Sequence, residues 1–415
     1  MRRIFYGWYM VGAATGLQFL QAGLMMQSFG AYVAVLSEER GWSKTALSGA
    51  AALHQMEVAV LGPVLGWMLD RFGPRRFVRA GVVMFGIGLM GLSRVDTVLQ
   101  FYAAFIVIAL GVSFCGFFPL NVALIQWFER KRARAISSMS IGLALGGVMV
   151  PAVAWSLQTY GWRATALTSG IIAIVVGFPL ASVIRNRPED MGEVPDGFPP
   201  SASSSREEIV EKPAATTRDF TAKEALRTRA FWLLALGHGF ALFVVQAVVV
   251  HSIAHLKEGL GYSIEEAALV YMLVTISQIG GVGIGWLIGD RYDKRFIAAA
   301  CMLMHGTGLL LLTYAVSWPM VVAFAVMHGA AWGLRGPFMQ ALRADYFGRS
   351  AIGMILGLSF LVIMIGQIGG PMIAGLLADA MGNYRAGFTL LALLALLGSL
   401  FFLAARRPAR PLVEG

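Results

Sequence analysis

Leu61–Phe77 reads LGPVLGWMLDRFGPRRF, and the fold follows from this stretch. An apolar helix carrying Gly62 and Gly66 runs into Asp70 and Arg71, turns at Gly73-Pro74, meets Arg75 and Arg76, and becomes apolar again. Such a segment leaves a hydrocarbon layer, turns in water beside anionic headgroups and re-enters at once. A related stretch, GVGIGWLIGDRYDKR, recurs at Gly281–Arg295. Two hinges of this kind in two similar halves point to a membrane carrier.

Composition agrees. The 415 residues are 57% hydrophobic and 13% charged, with mean hydropathy +0.69, too little polar surface for a chain facing water. The net charge of +10 does not indicate nucleic acid, because the basic residues sit in short loops between apolar runs. Cys115 and Cys301 both fall inside apolar segments, which leaves no disulfide framework and no cysteine-rich metal site. The run after Met1-Arg2-Arg3 continues to about Leu36, too long for a signal core, and reads as an uncleaved first helix.

Hydropathy predicts an all-α membrane protein with twelve spans, near 8–36, 45–69, 77–93, 98–128, 135–159, 163–184, 230–256, 264–289, 296–316, 318–342, 350–378 and 386–405. Lys and Arg test that map. Eighteen fall at the two termini and in the even-numbered loops other than the central connection, against six on the opposite side, which places both termini in the cytoplasm. The expected domains are a six-helix bundle over 1–185, a flexible cytoplasmic linker over 186–218 rich in Pro, Ser and charge, and a second bundle over 219–415 that begins with a short surface helix.

The halves echo each other at an offset near 220. Asp70-Arg71-Phe72 matches Asp290-Arg291-Tyr292, Gly111 and Pro119 match Gly329 and Pro337, and Pro151 matches Pro371. Internal duplication of this kind is a mark of secondary transporters, with substrate handled where repeats meet.

The whole pattern resembles the major facilitator superfamily, apart from the linker. Its most specific match is the loop pattern G-x-x-x-D-R-x-G-x-R-R, carried by Gly66, Asp70, Arg71, Gly73, Arg75 and Arg76. The second copy, Asp290-Arg291, has decayed, with Trp286 where a glycine is expected. The resemblance implies two pseudo-symmetric six-helix bundles and a cytoplasmic latch in which the carboxylate caps a helix. Within the superfamily the chain looks like the monocarboxylate and oxalate/formate branch, on Tyr6-Gly7-Trp8, Trp127-Phe128, Arg132-Ala133-Arg134-Ala135 and Tyr160-Gly161-Trp162-Arg163. It departs from that branch in having only Gln278 and Gln367 at mid-depth of spans eight and eleven, where members often carry cations.

Polar groups at membrane depth mark the candidate site. Amides on spans one, four, seven and ten, including Gln21, Asn121 and Gln246, suggest that these helices line the cavity, with Gln278 on span eight. Arg335 stands deep in span ten, sharing a helical face with His328 and Trp332. It reads as a cationic anchor for a substrate carboxylate, or as a structural arginine paired with Glu57 or with backbone carbonyls. Phe117 occupies the counterpart position in span four, with Asn121 one turn on, as an opposite wall or as core packing. Glu57 is the acidic residue deep in an apolar run, suited to proton coupling, to pairing with Arg335 or to a helix–helix hydrogen bond. His251 and His255, one turn apart, suit pH-sensitive gating or packing and lack a third metal ligand.

Gly86-Ile87-Gly88-Leu89-Met90-Gly91 spells the dinucleotide fingerprint, but in mid-span with no strand before it, and no phosphate-binding G-x-x-x-x-G-K-[ST] exists. No cofactor is implied and ATP does not drive the protein directly. Glycine pairs such as Gly142/Gly146, Gly281/Gly285 and Gly366/Gly370 suggest close helix contacts.

The expected function is a monomeric secondary transporter in a bacterial inner membrane. It moves a small organic anion, a monocarboxylate, by alternating access with proton symport or anion exchange. A proton-driven drug exporter is the alternative, and a membrane-embedded enzyme or a sensor stands further off.

Overall fold

The computed structural model describes residues 4–42, 44–197 and 217–412. Most of the expected linker, residues 198–216, lies outside them. The described helices fall into twelve long stretches. α1 comprises Tyr6–Gln21, a wider π turn at Ala22–Met26, and Phe29–Arg40. α2 is Lys44–Phe72, α3 is Pro74–Leu92, and α4 is Val98–Cys115 followed past a break by Phe117–Trp127. Arg132–Val183 is continuous over 52 residues, about 78 Å at the helical rise, far more than one ~30 Å crossing requires. Gly161, at φ 77°, divides it into α5 (132–160) and α6 (162–183). The second half holds α7 (Arg229–Ala254), α8 (Ile264–Ile288), α9 (Lys294–Thr313), α10 (Trp318–Phe347), α11 (Ile352–Met381) and α12 (Arg385–Ala404). Among the described residues, seven helical stretches are long and apolar enough to cross a membrane, counting Arg132–Val183 once.

Local chemistry sets the ends. Thr97 and Gln100 close a capping box on α4, and Ser263 with Glu266 does the same for α8. Gly73, at φ 77°, lets the chain double back between α2 and α3, and Pro74 opens α3 with φ preset.

Contacts divide the chain into two compact units, Met1–Thr216 with Ile352–Met354, and Thr217–Ala351 with Ile355–Gly415. The first has a core of Leu20, Tyr32, Phe85, Phe101, Phe105 and Trp162 among others. The second is built on Phe231, Met302, Phe324, Phe347, Phe388 and Phe402. Large apolar side chains cover the outside as well, such as Val175 (65% exposed) in the first unit and Ile365 (64%) in the second. Water would not tolerate that surface over a whole chain, whereas lipid does.

Helices pack at backbone distance where glycines allow. A Cβ on Gly142 of α5 would collide with the Thr15 carbonyl of α1, and one on Gly366 of α11 would collide with the Gly239 carbonyl of α7. Without lipid-excluding hydrophobic force between spans, such close contact is what holds them together.

The connection is anchored on both sides of residues 198–216. Asn186 accepts the Arg75 amide at 3.0 Å. Asp196, a buried residue at φ 61°, accepts the amides of Glu129, Arg130 and Lys131 at 3.2, 2.7 and 3.3 Å. Aspartate tolerates this left-handed backbone better than most residues. On the far side Asp219 accepts the amides of Arg349 (2.9 Å) and Ser350 (3.2 Å) and the Ser350 hydroxyl (2.9 Å). The two aspartates thus hold the equivalent loops before α5 and α11, each within its own unit.

Candidate functional site

Asp70, at the end of α2, accepts the amides of Gly353 and Met354 at 2.8 Å each, so its carboxylate caps the first turn of α11. Those residues belong to the first unit. Gly66, one turn before Asp70, faces the Gly353 carbonyl so closely that a Cβ would not fit. Arg71 lies over the Trp67 ring at 5.4 Å from its centroid, and Arg76 is exposed. Burial pushes the Asp70 carboxyl up to about 6, against the opposing pull of the two amides and of Arg187. In the second copy Asp290 lies 3.5 Å from Lys294, which also pairs with Asp345 at 2.8 Å, while Arg291 is exposed.

In the second unit Arg335 is 1% exposed. It lies 12 residues before the end of α10, about 18 Å along the helix. Its Nε and Nη1 have no hydrogen-bond partner, and no carboxylate pairs with it among the described residues. Its charge acts on Cys301 and His305 of α9, on His328 and Arg343 of its own helix, and on His238 of α7. An unpaired buried guanidinium is costly, and an anionic guest is one way of meeting that cost.

The neighbours expected on its face divide. His328, fully buried, meets His305 through Nδ1 to Nδ1 at 3.1 Å, and the Nε2 atoms of both rings lack partners. Trp332 packs with Leu242, Val245, Phe360 and Ile363, between α7 and α11. Gln246 and Gln278 are half-buried. The Gln278 carbonyl lies against Gly333. His251 bonds the Pro371 carbonyl at 3.0 Å and stacks near Tyr384, tying α7 to α11.

In the first unit Gln21 is committed to the chain itself. Its Nε2 donates to the Cys115 carbonyl at 2.8 Å, beside the break in α4, and approaches the Cys115 sulfur at 3.0 Å. Asn121 Nδ2 donates to the Phe117 carbonyl at 2.7 Å, leaving its own carbonyl oxygen unpaired and buried. Glu57 meets His54 Nδ1 at 3.2 Å with its second oxygen unpaired. His54 is a partner that the sequence reading missed, although the i, i+3 spacing could have disclosed it.

One further residue escaped the sequence reading. Arg343, which reads as a loop charge, is 1% exposed and donates to the carbonyls of Met339 (3.1 Å) and Leu234 (3.4 Å) and to His238 Nδ1 (3.3 Å). Its short distance from the end of α10 hid it.

Comparisons with known proteins place this geometry. The chain is 26% identical over 379 residues to the glycerol-3-phosphate transporter of Bacillus subtilis (strain 168), covering 85% of this chain and 82% of that one. It is 26% identical over 410 residues to monocarboxylate transporter 13 of Bos taurus, covering 95% and 88%. The solved proton:xylose symporter XylE, bound to 6-bromo-6-deoxy-D-glucose, superposes with a TM-score of 0.73 at 15% identity over 98% of both chains, a likeness of fold. The family model described as Major Facilitator Superfamily matches residues 15–297 and 253–415. Twelve helical stretches, an aspartate capping a distant helix and matches along nearly the whole chain together make this multi-pass membrane protein a member of the major facilitator superfamily.

Proposed function

We propose that the protein is a secondary active transporter of small organic anions, with monocarboxylates as the favoured class, working by alternating access. The observation that carries this reading is Arg335, a guanidinium sealed in α10 with two nitrogens unpaired and no carboxylate beside it among the described residues. A carboxylate fits the planar fork of an arginine with two parallel hydrogen bonds. Relatives named as monocarboxylate transporters support the class. Phosphate monoesters compete as cargo, on the strength of the glycerol-3-phosphate transporter relative. Trp332 in the second unit and, in the first, Phe117 and Asn121 are candidate substrate contacts, Glu57 with His54 is a candidate for proton coupling, and the Asp70 cap is the contact that breaks in each cycle.

Uptake of radiolabelled L-lactate, pyruvate and glycerol 3-phosphate into proteoliposomes, with and without an inward proton gradient, tests this. R335Q should abolish uptake of whichever anion the wild type carries. Undiminished uptake by R335Q removes the anchor, and no uptake of any anion removes the substrate class.

A further inference from the structure

We infer that His238 is a second substrate-anion donor, held in the donating tautomer by Arg343. This rests on the organic-anion reading given above and adds a residue to it.

The argument starts from what a guanidinium can do. Arginine has only N–H donors and no lone pair to offer. Arg343 Nη2 lies 3.3 Å from His238 Nδ1, so Nδ1 must be the acceptor and carry no proton. The neutral ring then keeps its one proton on Nε2. Arg343 is itself fixed, because its other contacts are to the main-chain carbonyls of Met339 and Leu234. The tautomer is therefore set by the fold.

The Nε2–H so produced has no acceptor in the protein among the described residues. His238 is 6% exposed, and its Nε2 has no hydrogen-bond partner among the described residues. The Nε2 atoms of His305 and His328 are equally unpartnered but sealed; that of His238 is not sealed. An N–H that the protein leaves open and that can be reached is free to donate to an acceptor on a guest.

The surroundings say what that acceptor is. Arg335 and Arg343 lie eight residues apart on α10, and the charge of Arg335 acts on both His238 and Arg343. Neither arginine has a carboxylate partner among the described residues. His238 stands on α7, nine residues beyond Arg229, about 14 Å along the helix from that end. An oxygen anion satisfies the open donor and the uncompensated charge together. A cation or a neutral apolar guest satisfies neither.

The test uses [14C]L-lactate uptake by full-length protein in proteoliposomes, with H238N, H238Q and R335Q. Asparagine can still accept from Arg343 but has no donor at the Nε2 position, whereas glutamine places an amide N–H there. H238N should raise the lactate KM about tenfold, the worth of one hydrogen bond to a charged group, and H238Q should stay near wild type. Lactate uptake that is lost in R335Q but keeps its KM in H238N overturns this inference and leaves the anion reading standing. Where the wild type carries pyruvate or glycerol 3-phosphate instead, the same variants are read on that anion; uptake that survives R335Q, or no uptake of any of the three anions, overturns both. Separately, nitrogen-15 NMR of histidine-labelled wild type should show His238 protonated on Nε2 alone at pH 7, and R343M should mix the tautomers. A proton on Nδ1 in the wild type refutes the positioning role without reference to any substrate.

Discussion

Asp70 gives the cap on α11 a pH response whose sign and size follow from its surroundings. Burial pushes its carboxyl up to about 6, even though the Met354 and Gly353 amides and Arg187 pull the other way. An aspartate in water titrates near ~3.9. When the first turn of α11 leaves Asp70, the carboxylate returns to water and to that value. The capped form therefore binds its proton about a hundredfold more tightly, a difference of about 3 kcal/mol. For an acid with a raised value, this contribution is fully present below about pH 4 and is lost as pH rises through about 6. By linkage, the ratio of capped to released protein grows about twofold from pH 7 to 6 and about tenfold from pH 7 to 5. Hydrogen–deuterium exchange of a peptide spanning residues 350–356, corrected for the intrinsic rate at each pH, reads that ratio. D70N has no titration and should give a flat profile. Protection that stays constant or falls from pH 7 to 5 in the wild type refutes the reasoning, as does a rise that persists in D70N.

Asp219 should respond in the opposite sense. Burial pushes its carboxyl up, but the Arg349 amide, the Ser350 hydroxyl and amide, and the charge of Arg410 together hold it below the usual carboxylate range. Its stabilisation is therefore present above about pH 4 and lost on acidification. D219A should cost about 2–3 kcal/mol at pH 7, discounted for partial exposure, and the gap between the melting curves of mutant and wild type should begin to narrow only as pH falls below about 4. At the α7–α11 contact, G366A puts a methyl against the Gly239 carbonyl and should cost about 1–3 kcal/mol in thermal unfolding. G280A is the control, since nothing lies within 4 Å of a Cβ there, and it should be neutral or slightly stabilising.

The fold could be read in the sequence because the bilayer makes it a one-dimensional problem. A run such as residues 386–404 is long and apolar enough to cross, and Arg75-Arg76 stays behind. The division of Arg132–Val183 was visible too, because Tyr160-Gly161-Trp162 interrupts it with the residue that best accepts a positive φ. The breaks inside spans were harder. The π turn at Ala22–Met26 and the end of the first α4 segment at Cys115 leave no charge or turn signature. Gly116 gives a weak hint, but Gly111, five residues earlier, sits in regular helix.

The site was legible only as far as single helices can tell. Periodicity puts His328 and Arg335 on one side of α10, but it cannot say that His305, on a span with no amides, would take up His328. Gln21 looks like a cavity residue by the cost of burying an amide, and that cost is met in part by the Cys115 carbonyl, a group every residue carries and no pattern distinguishes. Arg343 shows the same limit from the other direction. Its position four residues from Phe347 marks it as an interfacial charge, and that holds for its depth along the helix. What decides its role is the rotational position, which turns it onto Leu234 and His238 of α7. A sequence fixes depth through hydropathy and facing through period, yet the pairing of faces belongs to the packed bundle. That is why the unpaired nitrogens of Arg335 and the contact between Arg343 and His238 come from the packed helices and not from a motif.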